Sequence, residues 1–107
     1  MASGKLGSNN LTAVNTNTTV YTVPANTFSV VTVSVCNRSN VVAAIKIAAA
    51  DADTPTDDEW LEYDAEIYPK NVLERTGIVV KTGERIVVSS TVTPVNVVVY
   101  GIESDVI

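Results

Sequence analysis

The chain has 107 residues, which is enough for one domain and too few for two. Its formal net charge is −5 with only seven lysine and arginine residues, so a basic nucleic-acid-binding face is not expected. A single cysteine excludes an intrachain disulfide, and the absence of histidine removes histidine-based nucleophile pairs, general bases and metal sites.

The sequence also lacks the signals of membrane insertion, export and phosphate binding. No apolar run approaches the roughly 20 residues that span a bilayer. No hydrophobic segment follows Lys5 near the N-terminus, so we expect no signal peptide and synthesis in a cytoplasm. The five glycines are scattered and form no phosphate-binding loop. We therefore expect a binding protein that is not an enzyme and that has no cofactor and no metal.

The first 17 residues are rich in Ser, Asn, Thr and Gly and show no apolar periodicity. Such a segment cannot bury enough apolar surface to order itself. The sequence predicts a flexible, extended N-terminal arm over residues 1–17 and a β-sandwich domain over residues 18–107.

Seven periodic segments follow the predicted arm. Valine is the commonest residue and threonine is abundant, and both favour pleated strands. Proline, glycine or clustered polar residues separate the segments. The segments are 18–23, 28–37, 41–49, 60–68, 72–80, 85–92 and 95–102. This spacing predicts an all-β fold, an antiparallel sandwich of seven or eight strands that is jelly-roll-like or immunoglobulin-like.

Two of these segments leave an alternative open. The alanines near residues 43–50 allow a helix, but Ile45-Lys46-Ile47 favours a strand with Ala43, Ile45 and Ile47 on one face. In 60–68, alternation predicts one face made of Leu61, Tyr63, Ala65 and Ile67 and another made of Glu62, Asp64 and Glu66. The acidic face is typical of a solvated outer surface, and a glycosidase-like carboxylate pair is the alternative.

The acidic loop 51–59 and the residues around it are further candidates. Its carboxylates suit calcium, but the spacing of an EF-hand is absent, so a solvated loop is favoured. Trp60 follows the loop directly, and it either caps the sandwich core, which is favoured, or anchors a partner. Arg38 is a scarce cation that either pairs locally or binds a partner's carboxylate. Cys36 is interpreted as a small buried residue inside a strand.

Several strand and turn motifs resemble those of a known group of proteins. They are GKLG at 4–7, TTVYTVPA at 18–25, VSVCNRS at 33–39, LERTGI at 73–78 and VVVYGIE at 97–103. With these motifs the chain resembles small virion structural proteins of tailed bacteriophages, notably marine and cyanobacterial phages, over most of residues 6–103. These are strand and turn motifs without an active-site pattern, so the resemblance implies a fold and a place in the virion and does not imply a catalysed reaction.

The resemblance implies a capsid decoration (cement) protein that binds and stabilises the assembled shell through its arm and one end of the sandwich. Its partners would be the major capsid protein or other virion proteins, and a homotrimer is expected because three-fold sites are common on icosahedral shells. The candidate partner-binding residues are Lys5, Leu6, Leu11, Arg38, Trp60, Val106 and Ile107. The alternatives are a tail or fibre component, acting as an adaptor or receptor-facing module, and a carbohydrate-binding or hydrolytic sandwich.

Overall fold

A computed structural model describes residues 3–106 of the chain. Its eight strands are β1 (Ser3–Leu11), β2 (Thr18–Thr22), β3 (Thr27–Asn37), β4 (Ala43–Ala50), β5 (Trp60–Ile67), β6 (Val72–Lys81), β7 (Arg85–Ser90) and β8 (Val95–Asp105). All strand pairs are antiparallel. Among these residues there is no helix with the length and apolar character needed to cross a bilayer.

The strands form two four-stranded sheets that pack face to face. Sheet A has the order β1-β8-β3-β6, and sheet B has the order β2-β7-β4-β5. Four of the strand pairs are nested about the midpoint of the chain. β4 pairs with β5, β3 with β6, β2 with β7 and β1 with β8. The chain is thus one long hairpin rolled into two sheets, which is the jelly-roll arrangement. The predicted antiparallel sandwich is confirmed.

The core lies between the sheets and consists mainly of valine and isoleucine. In β3 every second side chain points inward, and the same holds in β8, so the valines of the two strands meet on one face. β-branched residues suit this position because they lose little rotamer freedom on a pleated surface. The fully buried members are Val31, Val33, Val35, Val80, Val95, Val97 and Val99 of sheet A and Ala43, Ile45, Ile47, Ile86 and Val88 of sheet B.

The flexible arm predicted for residues 1–17 is not confirmed, because Ser3–Leu11 form the edge strand β1. This strand pairs with β8 from Ser3 opposite Ile102 to Leu11 opposite Val95. Its order comes from backbone hydrogen bonds, and only Leu6 and Leu11 contact the core. The strand is polar because it lies at a sheet edge, where most side chains are exposed.

Strand β5 departs from the simple alternation predicted for residues 60–68. Its pairing with β4 contains two register shifts, and Asp64 adopts a positive φ of 59°. Each bulge moves the following side chains to the other face of the strand. As a result Tyr63 is exposed rather than inward, and Glu62 points to the open edge, where it pairs with Arg75 of β6. The predicted face of three carboxylates does not exist.

A buried asparagine joins the two sheets where β3 ends. Asn37 is fully buried, and its Nδ2 donates to the carbonyl oxygens of Val41 (2.8 Å) and Ile67 (3.0 Å). Its Oδ1 accepts hydrogen bonds from the backbone N and the Oγ of Ser39 (3.0 and 2.6 Å). One side chain therefore fixes the β3–β4 turn and ties it to the end of β5 in the other sheet.

A tyrosine hydroxyl joins the sheets near the start of β3. Tyr21 of β2 donates from its hydroxyl to Glu103 Oε2 of β8 (2.5 Å) and lies 2.7 Å from Ser29 Oγ of β3. Burial and the hydrogen bond to Glu103 raise the pKa of Tyr21 to about 12. The two polar groups, Asn37 and Tyr21, thus connect the sheets at opposite ends of β3.

Replacing Asn37 with alanine is expected to lower the free energy of unfolding by about 3 kcal/mol, because buried carbonyl and hydroxyl groups lose their partners. Asn40→Ala, in the exposed part of the same turn, is the matched control and should change stability by less than about 0.5 kcal/mol. Urea denaturation of both variants checks this. Equal effects from the two substitutions would contradict the role assigned to Asn37.

The raised pKa of Tyr21 predicts a pH dependence of stability. Because the folded state holds this proton more tightly than the unfolded chain, stability from the tyrosine is present below pH 10 and is lost as the pH rises toward about 12. The Tyr21→Phe variant should show a smaller loss over this range than the natural chain. Urea denaturation at several pH values measures the loss, with the exposed Tyr68→Phe as control. Parallel curves for the natural chain and Tyr21→Phe would refute the prediction.

Candidate functional site

The outer face of sheet A carries an exposed apolar surface. Even-numbered residues of β3 and β8 point outward, as the alternating burial of both strands shows. Val30 of β3 lies opposite Ile102 of β8 on one side and opposite Val79 of β6 on the other, so three apolar side chains form a row across the sheet. Phe28 and Tyr100 occupy the flanking rows. We call the five residues Phe28, Val30, Val79, Tyr100 and Ile102 the outer patch.

Most side chains of the outer patch are exposed to solvent although they are apolar or aromatic. Val79 and Ile102 are 67% and 51% exposed, and the rings of Phe28 and Tyr100 are also exposed. An antiparallel sheet normally presents polar residues on its solvated face. A contiguous exposed apolar surface is typical of a site at which another molecule binds.

Backbone geometry keeps the two central strands close beneath the patch. A Cβ atom built on Gly101 of β8 would collide with the carbonyl oxygen of Val30 and lie 2.9 Å from the Cα of Val31. Only glycine therefore allows β8 to pair with β3 at this level, and the pairing places Tyr100 and Ile102 beside Val30.

Charge at the rim of the patch differs from that of the whole chain. Lys5 lies opposite Tyr100, and Lys81 lies opposite Phe28. Five of the seven cations bond to their own chain through their side chains, namely Arg38, Lys46, Lys70, Arg75 and Arg85. Within residues 3–106 the ammonium groups of Lys5 and Lys81 have no hydrogen-bonding or ion-pair partner. Both unpaired cations thus flank the outer patch, although the chain is acidic overall.

The phenol of Tyr100 is held in place by a carboxylate. Its hydroxyl donates to Glu74 Oε2 at 2.9 Å, and this hydrogen bond raises the pKa of Tyr100. The bond runs over the outer face from β8 to β6 and passes across β3. It fixes an aromatic ring at the surface, which reduces the entropy lost when a partner packs on it.

On the outer face of sheet B, in contrast to sheet A, the apolar residues are covered by the chain itself. Ala48, Ala50 and Val87 point outward there and are nevertheless fully buried, because Trp60 packs over them. Asp53 of loop 51–59 accepts a hydrogen bond from Thr19 Oγ1 (2.6 Å) and lies 3.5 Å from Arg85. The chain thus covers its own apolar surface on sheet B and leaves it uncovered on sheet A.

The residues predicted to bind a partner do not form one surface. Lys5 borders the outer patch, whereas Leu11 is buried and Leu6 packs against the core, so neither leucine is free to contact a partner. Trp60 lies on the other sheet, outside the core between the sheets, so its predicted core position is wrong. Val106 is exposed beside Asn26. Ile107 lies outside the described residues.

Arg38 forms local contacts of a kind that the sequence did not suggest. Its guanidinium donates from Nε to Asn96 Oδ1 (3.0 Å) and from another nitrogen to Asn10 Oδ1 (2.5 Å). The predicted local partner was a carboxylate, and the observed partners are amide oxygens of β8 and β1. Arg38 therefore fastens the end of the edge strand to its neighbour.

Two carboxylates of the acidic loop accept hydrogen bonds from within the loop. Glu59 accepts hydrogen bonds from the backbone N of Thr56 (2.9 Å) and of Asp51 (3.1 Å), and the bond from Thr56 lowers the pKa of Glu59. The hydroxyl of Thr56 donates to Asp58 at 2.5 Å and lowers the pKa of that carboxyl. No group of three or more His, Cys, Asp or Glu residues that could hold a metal ion occurs within residues 3–106.

Sequence reasoning missed Phe28, Val79 and Ile102. The signal was present, because Val30-Val31 and Val79-Val80 place apolar residues on both faces of their strands. In an antiparallel sandwich only one face is needed for the core, so a second apolar face indicates a further contact.

Comparisons with protein families, with curated proteins and with solved structures found no match to this chain.

The Gly101→Ala substitution tests the close approach beneath the patch. The added Cβ must displace β8 from β3, so we expect the free energy of unfolding to fall by about 2 kcal/mol, as for other overpacked sites. Ser104→Ala in the same strand is the control and should be nearly neutral. Chemical denaturation measures both variants. A Gly101→Ala variant as stable as the control would contradict the proposed packing.

Proposed function

We propose that this chain is a bacteriophage virion structural protein that decorates the assembled capsid and binds it through the outer patch. The observation that carries the proposal is the apolar row Ile102-Val30-Val79, exposed at Ile102 and Val79 and flanked by Lys5 and Lys81. The virion assignment is supported by the resemblance of the strand and turn motifs, and the jelly roll occurs among viral capsid proteins, which supports it by analogy of fold alone.

The chemistry of the patch specifies the partner surface. An apolar centre favours an apolar surface that both proteins remove from water. Unpaired lysines at the rim favour acidic residues opposite them, which speed association and fix orientation. The major capsid protein would thus present an apolar area bordered by carboxylates, and binding only the assembled shell would stabilise that state by mass action.

This binding mode differs from the one expected from the sequence. The expected arm is the edge strand β1, so residues 3–11 contribute Lys5 to the rim and do not reach out to a neighbour. A homotrimer around a three-fold axis would place three outer patches on one shell site, and the three weak contacts would add avidity.

A tail or fibre component is the second candidate location. The same patch could bind a tail subunit, since its chemistry requires an apolar, acid-rimmed protein surface and not a shell in particular. Comparing the binding of the protein to purified tails with its binding to purified shells distinguishes the two locations.

Glutamate substitutions on the patch test the proposed surface. Deleting residues 1–17 would remove β1 and leave one edge of β8 without its backbone partner, so point variants are the cleaner probe. Val79→Glu and Ile102→Glu should each weaken binding to shells that lack the protein by at least about tenfold, through burial of an unpaired charge. Both variants should keep stability within about 1 kcal/mol of the natural chain.

The matched control is Val14→Glu, an exposed valine in the β1–β2 turn outside the patch. It should bind shells as the natural chain does. Sedimentation with shells gives the affinity, and heating the complexes shows whether bound protein raises the temperature of shell disruption. Binding that all three variants share would overturn the patch as the binding surface, and binding to tails alone would overturn the capsid location.

A further inference from the structure

A cleft lies on the outer face of sheet B, on the side of the sandwich opposite the outer patch. Its lining residues are Asp57, Trp60 and Tyr63, and its volume is about 440 Å³. We call it the aromatic cleft. Ligand sites are commonly concave, of a few hundred Å³, and lined by aromatic side chains with a few polar groups.

Trp60 is anchored from below. Its indole packs over Ala48, Ala50 and Val87, which are all fully buried although they lie on the outside of the sheet. Alanine at two of these positions leaves room for the large ring to lie close to the strands. The backbone hydrogen bond from Ala49 N to Glu59 O at 3.1 Å fixes the chain just before the tryptophan. The ring is therefore held in place while part of it remains accessible to solvent.

Tyr63 is exposed yet ordered by two neighbours. The ring is 63% exposed, and its centroid lies 5.5 Å from that of Trp60, with the ring planes at 71° in an edge-on arrangement. The ammonium of Lys46 lies 4.7 Å from the centroid of the Tyr63 ring and donates to Asp64 Oδ1 at 2.6 Å. A surface tyrosine held by an aromatic ring and a cation loses little further entropy when a ligand packs on it.

We propose that the aromatic cleft binds a neutral carbohydrate. A sugar ring has an apolar face of C–H groups and a polar rim of hydroxyls, and the cleft offers the counterpart of each. The two rings supply apolar surface and the carboxylate of Asp57 accepts hydrogen bonds. Lys46 and Asp64, which are paired with each other next to Tyr63, can donate and accept further hydrogen bonds beside the cleft.

The charges beside the cleft favour a neutral ligand over a cation. Aromatic rings beside carboxylates would also suit an ammonium or guanidinium group. Here, however, the ammonium of Lys46 already lies over Tyr63 and is paired with Asp64. A second cation at the same ring would be repelled by Lys46, whereas hydroxyl groups can bond to both signs of charge.

The expected affinity is low. The cleft is shallow and has two rings and few polar groups, so we expect a dissociation constant of about 1 mM for a single site. This inference is independent of the proposed capsid binding, because the aromatic cleft and the outer patch lie on opposite faces of the sandwich.

The single tryptophan of the chain makes the cleft directly observable. Intrinsic fluorescence of Trp60 is titrated with laminarihexaose, maltohexaose and chitohexaose, using the full chain. We expect a saturable change with at least one of the three sugars. Tyr63→Ala should weaken that binding by about tenfold, and Asp57→Asn should weaken it severalfold. Tyr68→Ala removes an exposed tyrosine that does not line the cleft, so it is the matched control and should bind as the natural chain does.

Three results would overturn the proposal. The first is no saturable change with any of the three hexasaccharides, checked by amide chemical shifts so that a silent fluorophore is not mistaken for absent binding. The second is binding that Tyr63→Ala leaves intact in a variant whose circular dichroism matches that of the natural chain. The third is a response to tetramethylammonium chloride without a response to sugar, which would make the cleft a cation site.

Discussion

The fold depends on the pairing of β3 with β8 at the centre of sheet A. Eleven consecutive residue pairs align without a register shift, from Thr27 opposite Asp105 to Asn37 opposite Val95. Inward, this pairing produces the continuous valine surface on which sheet B packs. Since β8 also pairs with β1 and β3 with β6, the other two strands of the sheet take their positions from it. The two polar connections, through Tyr21 at one end of β3 and Asn37 at the other, fix how sheet B lies over sheet A.

The same pairing decides what the protein presents to solvent. Because strand side chains alternate, a register that buries Val31 and Val99 must send Val30, Tyr100 and Ile102 outward. On sheet B the chain covers its outward apolar residues with Trp60, but on sheet A it leaves them open and places Lys5 and Lys81 at the rim. The two outer faces of the sandwich therefore differ in chemistry. Sheet A carries the patch proposed to bind a protein, and sheet B carries the small aromatic cleft.

Much of the fold could be predicted from the sequence, because period-two patterning is strong in the central strands. The predicted segments 28–37 and 95–102 lie within β3 and β8, since every second side chain is buried along β3 and over residues 95–99 of β8. Strand β1 could not be found in this way, because an edge strand held by backbone hydrogen bonds needs few apolar residues. No sequence pattern indicates the bulges of β5 either, and these bulges explain why Tyr63 and Glu62 were assigned to the wrong faces of the strand.

The candidate sites were harder to predict than the fold. Leu6 and Leu11 look available in a polar segment, but the pairing of β1 turns them toward the core. Trp60 was a candidate for partner binding, but its surroundings depend on loop 51–59 folding back over sheet B. No local sequence pattern indicates that this loop folds back. The outer patch arises from residues far apart in sequence, and only the strand order brings Val79 beside Val30.

Site-specific photocrosslinking tests the central claim, that the outer patch is the surface which binds the protein partner. A photoreactive phenylalanine analogue is placed at position 79 in one variant and at position 63, on the opposite face, in another. After binding to capsid shells and irradiation, crosslinks to the major capsid protein should form from position 79 and not from position 63. Crosslinks from position 63 alone would contradict the account, because they would place the partner on sheet B.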